Sequence, residues 1–462
     1  MKKIIGFYIF AFFLCSYVQL SAHKNDKEDW VTVFVHGSFS LKPHLTLGNA
    51  INVIFDRIEN SVYYRSTEIN RRDQFFYKNQ VMLDLGLQKI DIQNPNKTEI
   101  ARIIAASYEK TSQLAGNAPS NEYYAFGWSG LVSHKLRYLE ASILYDQLYE
   151  LVAKMKASGR SPKIRLISYS HGGTLSIQLG AVHVTKSPSK QFFIDELYLN
   201  GTPVQIETDY LINSPVFKKV YNIYSRADSI QKLDFFSFKR FFSRRKFENR
   251  NNFKMPDKLT QISLSIVDYT PKDVTSTIPF PRDEKTLRKH FKKCTYDPGH
   301  FELWFMGWTI LSYRKNFPFN PLPIINFLPI IVKDLEKNPE ISRDIVVKIL
   351  PYKEVMEIYN FKRLVKLTKI EERPFLTKKV LDELKVNALQ YEPVDYNLEL
   401  YNRKMYDAIA IAQYEYDQLN KLKVQEFKDI KKDKNNKKER KYKNKVVNLQ
   451  KKEHRFKGFL AQ

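Results

Sequence analysis

Short apolar runs that close on glycine or serine, with helical patterns between them, constrain this 462-residue chain more than any other feature. Residues 30–35 (WVTVFV), 123–126, 163–167, 193–199, 220–224 and 260–267 are runs of this kind. They are too short for helices and rich in β-formers, so each reads as a strand. Five of them close on His36-Gly37, on Gly127-Trp128-Ser129-Gly130, on Ser168-Tyr169-Ser170-His171-Gly172-Gly173, on Asn200-Gly201-Thr202-Pro203 and on Ser225-Arg226-Ala227-Asp228. Leu136, Leu139, Ile143, Leu144, Leu148, Leu151 and Val152 fall at helical spacing between two of the strands, and another helix starts at Thr174. Strands that alternate with helices pair in parallel through right-handed crossovers. The expected class is therefore α/β, a mostly parallel central sheet with helices on both faces. Sites in such sheets lie beyond the carboxyl ends of the strands, where these strings sit. The strand at 260–267 is expected to be the last.

The length suggests a core domain with additions, and an apolar fraction of 43% is ample for a large core. Residues 23–315 read as the sheet domain, with an insertion around 41–120 that carries a helical pattern at 97–114. Residues 316–329 are rich in proline and apolar side chains, and 330–419 read as mainly helical, making 316–419 a helical extension. Residues 420–462 form a basic Lys-rich tail, helical or disordered. The net charge of +25 is unevenly spread: residues 421–462 hold 16 Lys/Arg against 5 Asp/Glu. Nucleic acid is not the expected partner, because the tail lacks the glycine–aromatic pattern of an RNA-binding module.

The N-terminus has a positive Met1-Lys2-Lys3, an apolar run over 4–18 and the polar break Gln19-Leu20-Ser21-Ala22. This is the anatomy of a signal peptide over residues 1–22, which implies a bacterial-style exported protein, periplasmic or secreted. An uncleaved anchor is the rival, although the run falls short of the about 20 residues a bilayer span needs. Cys15 has no small residues before it, which argues against lipid attachment. Cleavage leaves Cys294 alone, so no intramolecular disulfide is expected. No metal or nucleotide cofactor is expected either, since the sequence has no Cys/His cluster, HExxH or phosphate-cradling glycine loop.

Lying between a strand and a helix, Ser168-Tyr169-Ser170-His171-Gly172-Gly173 resembles the nucleophile elbow of the α/β-hydrolase superfamily, in its lipase/esterase-like branch. The elbow holds a serine hydroxyl above the sheet on a sharp turn, so its neighbours must be small. Gly172 fits the second glycine of the pattern, and Ser168 stands in place of the first. The resemblance spans about residues 30–308. It takes in His36-Gly37-Ser38-Phe39, similar to the family's oxyanion loop, the Phe126-Gly127-Trp128-Ser129-Gly130 strand end followed by a helix bearing Arg137, and Gly201-Thr202-Pro203.

The resemblance implies a serine hydrolase in which the nucleophile Ser170 is followed by an acid and then a histidine. His183, His290, His300 and His454 lie downstream. His300, in Asp297-Pro298-Gly299-His300, resembles the family's histidine loop and is the expected base; His290, on a basic helix face, is its competitor. Asp228 is the expected acid and Asp234 the alternative. The oxyanion hole would use the His171 amide and that of Ser38 or Phe39. The side chains of His36 and His171 are expected to stabilise turns.

Such a site implies cleavage of carboxylic esters, lipid or acyl, through an acyl-serine intermediate, and nothing in the residues fixes the acyl chain or leaving group. The rival is a catalytically inactive fold serving as a binding or envelope-associated module, which the irregular elbow favours. Residues 235–247 (FFSFKRFFSRRKF) read either as a lid or interfacial patch for peripheral membrane contact, or as a helix burying its Phe face. The tail reads as a contact for anionic lipid or another anionic polymer, or as a solvated helix.

Overall fold

A computed structural model describes residues 29–38, 58–59, 61–116, 120–232, 243–267, 295–308, 317–362, 366–394 and 398–432. Its centre is a sheet built from β1 (Asp29–Val35), β2 (Gly86–Ile90), β3 (Ser120–Gly127), β4 (Lys163–Tyr169), β5 (Ile194–Asn200), β6 (Phe217–Ser225), β7 (Leu259–Val267), β8 (Thr295–Tyr296), β9 (Asp344–Leu350), β10 (Val355–Lys362) and β11 (Lys366–Pro374). Seven strands run parallel in the order β3-β1-β4-β5-β6-β7-β9. Antiparallel strands complete the two sides, β2 on β3, and β10 and β11 beyond β9, while β8 pairs with the end of β7. The chain is thus an α/β protein with a mostly parallel sheet.

Every position of β1 and β4 after the first is buried, because helices cover both faces of these central strands. Among the described residues the helices are α1 (Val62–Arg72), α2 (Ile100–Leu114), α3 (His134–Ala157), α4 (His171–Thr185), α5 (His300–Leu303), α6 (Lys378–Leu389) and α7 (Leu398–Lys432), with one further turn at Leu328–Ile331. Val31, Val33 and Val35 of β1 pack with Leu144 and Leu148 of α3 and Leu175 and Leu179 of α4. Phe34 points the other way, into a second core with Ile100 and Ile104 of α2, Trp304 and Phe327. That alternation is the two-residue period of a strand. Among the described residues no helix is long and apolar enough to cross a membrane.

The C-terminal third differs from its helical expectation. Residues 344–374 form β9, β10 and β11, and β9 pairs in parallel with β7, so 260–267 is not the last strand and the sheet runs past residue 315. The run DIVVKIL in β9 is seven residues long and β-branched, which favours a strand over a helix. Within the described part of the stretch around 41–120, β2 pairs with β3 and α2 fills the core. Among the described residues, α6, α7 and the helical turn at Leu328–Ile331 fit the helical expectation. α7 docks on α1 through Arg65–Glu415 at 2.5 Å, while Lys404 pairs with Asp73 at 2.8 Å.

Residues 1–28, with Cys15, lie outside the described residues, as do Phe39, Asp234, most of the 235–247 patch, His290, Cys294, His454 and the tail from residue 433.

Candidate active site

Sheet order brings the motif-bearing strand ends together. β1, β4, β5 and β6 are adjacent, and the chain departs in opposite directions from the β1–β4 pair, so a crevice opens beyond their carboxyl ends. Val35 is opposite Ser168, which brings the His36-Gly37 loop level with Tyr169-Ser170. On the other side Tyr169 is opposite Asn200, so Ser170 is level with Gly201.

Ser170 is the residue between β4 and α4, at φ 49° and ψ −128°. A side chain rarely tolerates this region, and the strain is held by backbone bonds on both sides. The Ser170 amide donates to the Asn200 carbonyl at 2.9 Å, and the Gly173 amide donates to the Ser170 carbonyl at 2.9 Å. A serine before a helix ordinarily caps it through its hydroxyl. Ser61 and Ser133 do so for α1 and α3, but Ser170 makes no such bond. Its Oγ instead lies 3.1 Å from His300 Nε2.

His300 opens α5, and its Nδ1 lies 2.7 Å from Asp228 Oδ2. A carboxylate only accepts, so Nδ1 carries the proton, and in the neutral ring Nε2 is left to accept from Ser170 Oγ–H. Asp228 is fully buried just past β6, where the Gln231 amide donates to its Oδ1 at 2.9 Å and Arg245 Nε to its carbonyl at 2.7 Å. The fold therefore unites Ser170, His300 and Asp228, residues 72 and 130 apart from His300 in sequence, in one hydrogen-bonded series. His183 is elsewhere, bonded to the Tyr145 hydroxyl at 2.9 Å.

Ser168 is accommodated because it is still strand; its hydroxyl is buried against that of Ser176 at 2.7 Å. On the β1 side, Gly37 approaches so closely that an added Cβ would stand 2.9 Å from Ser170 Cβ. Ser38 follows, 7% exposed, and His171 contributes an amide of the first turn of α4, where N–H groups have no acceptor within the helix.

The two histidines beside the elbow are tied into structure. His36 Nδ1–H donates to the Gly37 carbonyl at 2.8 Å, its Nε2 accepts the Trp128 amide at 3.3 Å, and its carbonyl accepts the Trp128 indole N–H at 2.8 Å. Burial pushes the His36 imidazole down to about 3, and the Arg71 charge lowers it further. His171 Nδ1 lies 2.7 Å from Nη1 of the buried Arg137, which also donates to Thr174 Oγ1 at 2.8 Å.

Three contributors went unread in the sequence. Tyr169 and Trp304 stack at 5.2 Å behind His300, and Trp304 sits four residues from it, a spacing that would have placed both on one helix face. Gln231 follows Asp228 by three, the spacing by which an acidic side chain accepts a helix N-terminal amide. A separate cavity of 180 Å³, lined by Arg71, Gly127, Ser129 and Glu140 among others, does not include the Ser–His–Asp series. Burial raises the Glu140 carboxyl there above its usual range.

Comparison with protein families and with curated proteins gives no match to this chain.

Proposed function

We propose that the chain is an exported serine hydrolase of the α/β-hydrolase superfamily, lipase/esterase-like, that cleaves carboxylic esters of lipid or acyl type. The observation that carries this reading is Ser170 held at positive φ with its Oγ 3.1 Å from His300 Nε2, while Nδ1 meets Asp228 at 2.7 Å. Strain is kept at a position where it aims a hydroxyl at a base, which is what a nucleophile needs.

In the reaction, His300 Nε2 takes the Ser170 proton as Oγ bonds to the ester carbonyl carbon, and the carbonyl π pair moves onto oxygen. Asp228 holds the ring and balances the imidazolium. The tetrahedral intermediate collapses, the ester C–O bond breaks, and His300 gives the proton to the leaving alcohol. Water then adds to the acyl-Ser170 carbonyl with His300 again taking a proton, and the Ser170–acyl bond breaks as His300 returns that proton to Ser170 Oγ, releasing the acid. The His171 amide and that of Ser38 or Phe39 would bind the oxyanion.

The signal-like residues 1–22 support a periplasmic or secreted location, and the Phe/Lys/Arg run at 235–247 and the basic tail support peripheral contact with a membrane or anionic polymer. A panel of esters of increasing acyl length, run on wild type and Ser170→Ala, tests the reading. Turnover confined to the wild type upholds it. A folded wild type that hydrolyses none of them would favour the inactive binding module.

A further inference from the structure

The sheet has two ends, and Ser170, His300 and Asp228 occupy only one. At the other, by the amino ends of β1, β4, β5 and β6, is a cavity of 570 Å³ lined by Trp30, Lys163, Arg165, Glu196 and Lys219 among others. Small-molecule sites span about 300–1,000 Å³. Arg165 and Ser170 are five residues apart along β4 and its end, about 16 Å at 3.3 Å per residue, so the two sites are separate.

Charge sets this cavity apart. Among the described residues six cations and four carboxylates line it, an excess of two positive charges. Each carboxylate is already held by a cation: Glu196 by Arg165 at 2.6 Å, Asp195 by Lys218 at 2.7 Å, Glu336 by Lys219 at 2.9 Å and Asp334 by Lys337 at 2.6 Å. Lys333 bonds to none of them, and its ammonium would stand 3.5 Å from a Cβ on Gly116, which also lines the cavity. A hydroxyl is the second sign. Tyr221 is 4% exposed and stacks on Tyr198 at 4.9 Å, but its hydroxyl makes no hydrogen bond among the described residues. Tyr198, by contrast, donates to Glu196 at 3.1 Å. The charges acting on the Tyr221 hydroxyl are those of Glu196, Glu336 and Arg165, all lining residues, which puts it on the cavity side. Burial pushes this phenol above its ordinary value, so it keeps its proton and can donate.

We propose that this cavity binds a small organic phosphate, to which Lys333 and Tyr221 donate. A phosphomonoester carries close to two negative charges at neutral pH, matching the excess of two, and lysine serves such groups as a point charge. Pro329 and Val332 offer the ligand's apolar part a wall. The site is independent of what Ser170 does.

Calorimetric titration of the full chain with phenyl phosphate, benzenesulfonate and phenol tests this, because the three share a ring and differ in charge. Phenyl phosphate should bind saturably at one site, in wild type and Ser170→Ala alike, and the other two at least about tenfold more weakly. Lys333→Glu and Tyr221→Phe should each weaken phenyl phosphate about tenfold, the size of a hydrogen bond to a charged group. Tyr221→Phe keeps the ring and its stack, so it reads the hydroxyl without disturbing the fold. Lys78 is exposed and does not line the cavity, so Lys78→Glu, the same change of charge, should bind as wild type does. Absence of saturable binding, or equal binding of all three compounds, would overturn the site. So would an equal loss in Lys78→Glu and Lys333→Glu, which marks diffuse charge, or a loss confined to Ser170→Ala, which places the phosphate at the nucleophile.

Discussion

The hydroxyl of Tyr169 donates to the backbone carbonyl of His300 at 3.0 Å, and the two rings lie 4.7 Å apart. Tyr169 immediately precedes Ser170, so one residue ties the strand end that carries Ser170 to the segment that carries His300. Trp304 backs it in a near-parallel stack, 5.2 Å between centroids. A Ser–His contact is short-ranged, and small displacements of either partner are costly to rate.

Two substitutions at this position separate its parts. Tyr169→Phe keeps the ring and loses the hydroxyl, and should cost about 1 kcal/mol of stability with little change in kcat. Tyr169→Leu also loses the stack and should lower kcat roughly tenfold through misplacement of the imidazole. Denaturant titration and ester kinetics on both variants check this. Equal kcat in Phe and Leu variants would show that the ring does not brace His300.

Gly201 adjoins Asp228 and His300 at φ +56°, and a Cβ there would approach Asp228 Oδ2 to 3.1 Å and His300 Nδ1 to 3.2 Å. Gly201→Ala should cost about 1–2 kcal/mol from the left-handed backbone. It should also depress kcat more than KM by crowding the His300–Asp228 bond. A variant that is destabilised yet keeps its full kcat would refute the crowding.

Much of this was legible in the chain. The central strands carry apolar runs toward their carboxyl ends because they are covered there on both faces, and each announces that end with a small-residue string, so the places of Ser170, Asp228 and Gly37 followed from strand ends. What escaped was non-local. β9, β10 and β11 join the sheet only through pairing with β7, a partner about 80 residues upstream, and β10 and β11 carry Lys and Glu on an outer face that resembles a solvated helix. The brace of Tyr169 on His300 joins residues 131 apart, which no local pattern reports.

The C-terminal segment is part of the core, so it should not be separable. Phe327 is fully buried and packs on Phe319 and Phe375, at 4.7 and 5.7 Å between ring centroids. Phe327→Ala should cost about 3–5 kcal/mol. Truncation after residue 315 should leave a chain without a cooperative unfolding transition. A truncated protein that melts like the full chain would contradict a continuous sheet.

His36 should give stability a specific pH dependence. Its imidazole is held at about 3, against 6.5 in an unfolded chain. Between those values the unfolded state binds a proton that the folded state refuses, so stability falls as pH falls, at up to about 1.4 kcal/mol per pH unit. Urea titrations from pH 6.5 to 4.5 should show a shallower slope for His36→Asn than for wild type. Equal slopes would mean that His36 is not kept neutral by burial.

The central claim is that Ser170 attacks as a nucleophile, and covalent capture tests it most directly. Treating the full chain with a fluorophosphonate and mapping the adduct by mass spectrometry should place a single modification on Ser170. The adduct should be absent from Ser170→Ala and strongly slowed in His300→Ala. A folded wild-type protein that takes no label, or one that labels elsewhere and equally in Ser170→Ala, would contradict it.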